Sequence, residues 1–152
     1  MSNKAVIFLS TGFYTGYSPI APGTVGTILG IPLGIFLSRF NTISQMLVIV
    51  ILFFVFSFIS GKAEEILGKK DASTIVCDEI LGFLAAMFLI PYAFFNIIAV
   101  FFLFRLFDIW KPFPIRMIEN RIKSGYGIIL DDVIAGVYAN AVLRIAFWVV
   151  ER

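Results

Sequence analysis

From Thr42 to Ser60 the chain runs through nineteen residues (TISQMLVIVILFFVFSFIS) without a charge. A hydrocarbon layer about 30 Å thick needs roughly 20 such residues in a helix. The segment therefore predicts a membrane-spanning helix, and lipid admits only helices or closed barrels. Composition agrees, because 60% of the 152 residues are hydrophobic, 14% are charged and the mean hydropathy is +0.98. An ordinary soluble domain is about half apolar and about a quarter charged, and a soluble core of this length could not hide the excess. A net charge of +2 with no dense basic run excludes a nucleic-acid partner. Histidine is absent, which removes the commonest general base and zinc ligand, and the single Cys77 permits no internal disulfide. Met1–Lys4 is barely basic and Ala5–Leu9 is too short for a signal-peptide core, so the N-terminus is expected to be retained.

Three further apolar segments flank this span. Thr24–Ser38 carries Gly26, Gly30 and Gly34 at four-residue spacing, a pattern that lets helices approach closely in lipid, with Pro32 in its middle. The same spacing permits a homo-oligomer without requiring one. Ile80–Phe104 is uncharged but broken at Pro91-Tyr92, and reads as one kinked pass or as a hairpin of two short helices. Charge favours the hairpin. It gathers Lys4, Lys62, Lys69, Lys70, Arg105, Lys111, Arg116, Arg121 and Lys123 on one face and leaves Arg39 and Arg152 on the other, as the preference of Lys and Arg for the cytoplasm requires. Val133–Val150 then crosses outward, with Arg144 and Trp148 near the far interface. The expected fold is all-α, a multi-pass membrane bundle of about three full transmembrane helices plus a short Pro-broken hairpin, with residues 1–152 forming a single domain.

Acids are scarce, so their placement is informative. Asp78-Glu79 precedes the Ile80 run, Asp108 follows the run ending at Phe104, and Asp131-Asp132 opens the last helix. Such acids can simply solvate helix ends beside Lys and Arg. If the three ends converge, however, the carboxylates repel unless a cation sits among them, and oxygen ligands without His or Cys suit Mg²⁺ or Mn²⁺. Which member of each adjacent pair would bind stays open.

Two other segments offer groups for an anion. The stretch from Thr11 to Thr24 is rich in Gly, Pro and hydroxyls, and places Ser18, Gly23 and Thr24 before a helix whose free amides favour phosphate, with Thr24 as the expected N-cap. In RLFDIWKPFPIR, Arg105, Asp108 and Lys111 recur at three-residue spacing before Pro112, with Arg116 beyond. That strip also reads as a self-neutralising surface segment. Cys77 is not expected to act as a phosphatase nucleophile, since position 83, where such a loop needs arginine, is Phe.

Four motifs, SPIAPGT (Ser18–Thr24), DASTIVCDEILG (Asp71–Gly82), FRLFDIWKPFPI (Phe104–Ile115) and GYGIILDDVIAGVYA (Gly125–Ala139), together closely resemble the phosphatidylglycerophosphatase A family, in order from about Thr11 to Ala139. The resemblance implies an Mg²⁺-dependent membrane phosphatase that converts phosphatidylglycerophosphate to phosphatidylglycerol and inorganic phosphate. Carried over by position, the family's acids fall on Asp71, Asp78, Glu79, Asp108, Asp131 and Asp132 and its basic groups on Arg105 and Lys111. Cys77 and Thr27 depart from the residues frequent in the family without removing a ligand or a charge. The expectation that follows has Mg²⁺ on Asp78, Glu79, Asp108, Asp131 and Asp132, with these acids and Lys111 as the catalytic group. Arg105, Lys111, Arg116, Ser18, Gly23 and Thr24 would hold the lipid phosphate, at the cytoplasmic face of a bacterial inner membrane. A small cation transporter using the same carboxylates is the alternative, weakened because the spans contain no ionisable residue apart from Arg144 near the far side.

Overall fold

The computed structural model describes residues 1–152 except Asp71, Lys123 and Arg152. Asp71 and Arg152, both used in the sequence analysis, thus lie outside the described residues, as does Lys123. Among those described there are seven α-helices, one 3-10 turn at Thr15–Tyr17 and no strand. The helices are α1 (Asn3–Ser10), α2 (Pro22–Leu37), α3 (Thr42–Leu67), α4 (Cys77–Met87), α5 (Phe94–Trp110), α6 (Ile115–Arg121) and α7 (Gly125–Val150).

Local chemistry sets most of these boundaries. The Asn41 side chain accepts from Ser44 N at 2.9 Å to start α3, and Gly68, at φ +63°, ends it in the left-handed conformation that glycine adopts without strain. Helix α2 begins earlier than expected. Pro22 occupies its first turn and Ala21 the cap position, with no side-chain cap, so Thr24 lies inside the helix and is not its N-cap. Proline suits that place because its missing N–H would be unpaired there anyway. The Ile80–Phe104 run resolves into two helices, α4 and α5, joined through Pro91 and through Leu89 at φ +60°. The second helix continues to Trp110 and is longer than the sequence suggested.

Helices α3 and α7 have the length and apolarity to cross a bilayer. Each has 26 residues, roughly 39 Å at 1.5 Å per residue. Of the three full spans expected, these two reach that length, since α2 has only 16 residues. The last helix starts at Gly125 rather than at the aspartates, which places Asp131 and Asp132 nearly two turns inside it.

Helix α4 forms the axis of the molecule. Every residue in it except Glu79 is buried. One side, with Leu81 and Leu84, packs with Val6, Ile59, Ala63 and Ile129 from α1, α3 and α7. The other, with Phe83, Ala86 and Met87, packs with Val100, Phe104, Ala135 and Ala139 from α5 and α7. Glycines set the approach of its neighbours: Gly26 and Gly30 of α2 lie against Val76 and Phe83, and Gly136 of α7 lies against the Gly82 carbonyl. The far end of α4 is tied to α7, because Asn140 donates to the carbonyls of Ala86 and Phe88 at 2.8 Å each and Arg144 donates to Leu89 at 3.2 Å. Arg144, expected near the interface alone, thus also satisfies a helix-end carbonyl.

Candidate active site

The opposite end of α4 gathers the charged residues. Asp78 and Glu79 stand in its first turn, Arg105 and Asp108 in the last turns of α5, and Asp131 and Asp132 on the inner face of α7. Gly23, at the start of α2, completes the enclosure: a β-carbon there would strike Glu79 Oε1 and come within 3.1 Å of Arg105 Nη1. Helix α2 therefore directs its N-terminal amides and the positive end of its dipole toward this cluster. Asp78, Asp131 and Asp132 are 8%, 5% and 4% exposed.

Two cations divide the carboxylates. Arg105 Nη1 lies 2.6 Å from Asp108 Oδ2 and 3.7 Å from Glu79 Oε1. Lys111 Nζ donates to Asp131 Oδ2 at 2.7 Å. Spacing alone put Lys111 on the same face as Arg105. It instead caps α5 at φ +47°, where the chain turns ahead of Pro112, and reaches across to α7. The first aspartate of each adjacent pair also accepts from the next amide, Asp78 Oδ1 from Glu79 N and Asp131 Oδ1 from Asp132 N, both at 3.1 Å.

Asp78, Glu79 and Asp132 form a trio in which one carboxylate oxygen from each lies within 4.8 Å of the others. Glu79 Oε2 and Asp132 Oδ2 are buried without a hydrogen-bond partner, as is Arg105 Nε. Burial, followed by the charge of Glu79, pushes Asp78 well above the ordinary carboxylate range. Burial also raises Glu79 to about 7, against the opposing effects of its hydrogen bond with Asp78 and the nearby Arg105. Buried like charges with orphaned oxygens are costly unless protonated or shared with a cation. An all-oxygen donor set of this kind fits a hard divalent ion such as Mg²⁺.

The structure therefore brings all five sequence-selected acids to one end of the bundle, but gives them different partners. Asp108 and Asp131, expected as metal ligands, face guanidinium and ammonium groups, which already offset their charge. Among the expected phosphate-holding residues, Gly23, Arg105 and Lys111 touch the cluster. Thr24 follows Gly23 in α2, and Ser18 is engaged in a local turn, its Oγ donating to the Ile20 carbonyl at 2.9 Å. Arg116 is exposed on the first turn of α6, beside an open groove. Cys77 is fully buried against Ser60 Oγ at 3.2 Å, and burial holds its thiol well above its usual range, which agrees with its exclusion as a nucleophile. Sequence reasoning missed the Gly82–Gly136 crossing that brings Asp132 beside α4. Its only signal was a small residue in each of two motifs already selected for their acids.

Residues 8–147 match the phosphatidylglycerophosphatase A family. A Bacteroides thetaiotaomicron protein provisionally named a phosphatidylinositol-3-phosphatase is 37% identical over 152 residues, covering 95% of this chain and 94% of its own. The phosphatidylglycerophosphatase A of Haemophilus influenzae is 37% identical over 92% of this chain and 88% of its own, and that of Escherichia coli 32% identical over 89% and 79%. No solved structure matches the chain.

Proposed function

Because the chain belongs to the phosphatidylglycerophosphatase A family, we propose that it removes the terminal phosphate of phosphatidylglycerophosphate, acting as a single domain over its whole length. The observation that carries this reading is the trio of Asp78, Glu79 and Asp132 with its two buried, orphaned oxygens, set beside Arg105 and the start of α2. These three side chains would hold Mg²⁺. When bound, the ion would offset negative charge on the phosphoryl oxygens as the bond to glycerol breaks.

The chain's own groups supply position and charge. Arg105, braced by Asp108 and Glu79, and Lys111, braced by Asp131, present donors to a phosphate entering between α5 and α7. Amides at the start of α2 add to them from the Gly23 side. Water forms the new bond to phosphorus and glycerol leaves with the electron pair of the broken one. The proton released by water passes to the carboxylate cluster, and the departing glycerol oxygen gains one. The cytoplasmic placement of this end is supported by Lys62, Lys69, Lys70, Arg105, Lys111, Arg116 and Arg121, against Arg39 and Arg144 toward the other.

The Bacteroides relative's name supports a second substrate. Phosphatidylinositol 3-phosphate, like phosphatidylglycerophosphate, carries a phosphomonoester on a polyol joined through a phosphodiester to diacylglycerol. Phosphate release by the purified chain in mixed micelles tests both, with Mg²⁺ and then EDTA. Metal-dependent release from phosphatidylglycerophosphate in preference to the inositol lipid and to phosphatidic acid is expected. Preference for the inositol lipid would reassign the substrate, and release from none by folded protein would overturn the reading.

A further inference from the structure

Helix α5 has two working faces. Val100, Phe104 and Asp108 turn inward, whereas Phe102, Leu106 and Ile109 are 67%, 54% and 74% exposed. At about 100° per residue those three share one stripe, with Arg105 and Trp110 at its two edges. The stripe forms one wall of a groove of about 700 Å³, lined by Phe102, Arg105, Leu106, Ile109, Trp110 and Arg116. That volume falls in the range of ligand sites.

The groove combines apolar and cationic groups. Its apolar side chains come from α5, and its cations are Arg105 and, from α6, Arg116. Arg105 belongs to both places, since it lines the groove and also contacts Glu79 and Asp108 of the carboxylate cluster. A molecule lying in the groove with its anionic part at Arg105 thus touches the reacting end directly. The substrate proposed above, on which this inference rests, joins apolar chains to an internal phosphodiester and a terminal phosphomonoester, which match the groove's apolar wall and its two cations.

We propose that the α5–α6 groove is the substrate's lateral docking site, with its diacyl part along Phe102, Leu106 and Ile109 and its internal phosphodiester on Arg116, while the terminal phosphate reaches Arg105 and the carboxylates. Binding energy from the non-reacting half of the lipid then serves to position the reacting half.

The test compares kcat/KM for long-chain phosphatidylglycerophosphate and for its deacylated head group, glycerophosphoglycerophosphate, using purified full-length chain in micelles. Leu106→Trp and, separately, Ile109→Trp fill the groove from exposed positions. Each is expected to lower the ratio of long-chain to deacylated activity by about tenfold, through KM. Val55→Trp, on the outward side of α3 away from the groove, should leave the ratio unchanged. Arg116→Gln should raise KM for both substrates, because both keep the phosphodiester. An unchanged ratio in both groove variants, or an equal fall in the Val55 variant, overturns the docking site. An unchanged KM for the deacylated head group in Arg116→Gln overturns the phosphodiester contact. A wild-type chain inert toward both substrates overturns the proposed activity itself, and the docking site with it.

Discussion

Asp132 is the residue at which stability and function pull hardest against each other. It sits nearly two turns inside α7, 4% exposed, with Oδ2 unpartnered and with Asp78 and Glu79 across from it. Replacing it with asparagine removes a buried charge while keeping the shape. Asp132→Asn is therefore expected to cut kcat by about 100-fold or more. In EDTA it should stabilise the fold by on the order of 1 kcal/mol, roughly 2–4 °C in melting temperature. Thermal melts in EDTA and in Mg²⁺ check both halves, because the variant should also lose the stabilisation by metal seen in the wild type. Glu79 adds a pH signature. Its folded value of about 7 lies above its ordinary 4.5, so between these values the native state keeps a proton that the unfolded chain has released. Raising pH through that window then favours unfolding, and the metal-free protein should melt at progressively lower temperature from about pH 4.5 to about pH 7. Mg²⁺ should flatten that slope, and a melting temperature that climbs over the same range in EDTA would contradict it. The adjacent Asp78-Glu79 and Asp131-Asp132 pairs were legible in the sequence because acids are so rare in it. Which acids a cation would claim was not legible, since that depends on Lys111 leaving the α5 helix to reach α7.

At the level of elements, small residues decide how near the carboxylates come. The spacing of Gly26, Gly30 and Gly34 was readable as a packing ridge, and these glycines do lie against Val76, Phe83 and Tyr92. The crossing that matters more for chemistry, Gly82 against Gly136, carries no repeat to betray it. A methyl at Gly136 would collide with the Gly82 carbonyl and crowd Ala86 N at 3.1 Å, and both are backbone atoms of α4 that cannot swing aside. Gly136→Ala is thus expected to cost about 1–3 kcal/mol through overpacking. Because Asp132 lies one turn away on the same helix, it should also weaken Mg²⁺ binding and lower kcat. Melting temperature and the Mg²⁺ dependence of turnover, measured together, separate this from simple destabilisation: an affinity for Mg²⁺ equal to wild type in the folded variant would show that the crossing does not set the ligand spacing. The N-cap of α2 lies at Ala21, three residues ahead of the expected Thr24, because Thr24 is a good cap by composition while Pro22, already suited to a first turn, lets the helix begin ahead of it.

For the molecule as a whole, the sequence predicted the all-α class from apolar length, and the division of the Ile80–Phe104 run from its proline together with the distribution of Lys and Arg. Of the three full spans it led one to expect, α3 and α7 have the length and apolarity to cross a bilayer, while α2 is apolar over only 16 residues and meets α4 mainly through glycines. The proposed orientation rests on charge at the two ends. The C-terminus of α3 packs beside the start of α7 through Gly61 and Gly125, so Lys62, Lys69 and Lys70 share the end that holds the carboxylates. Arg39, between α2 and α3, lies at the other. A cytoplasmic active site requires Lys69 inside and Arg39 outside. In a Cys77→Ala background, Arg39→Cys should react with a membrane-impermeant maleimide in intact cells, and Lys69→Cys only after the membrane is opened. Both positions are exposed and neither has an assigned contact in the site, so activity can be followed in the same variants. The reverse labelling pattern would put the carboxylate end outside, and the phosphorylated lipid head would then have to be presented from the opposite leaflet.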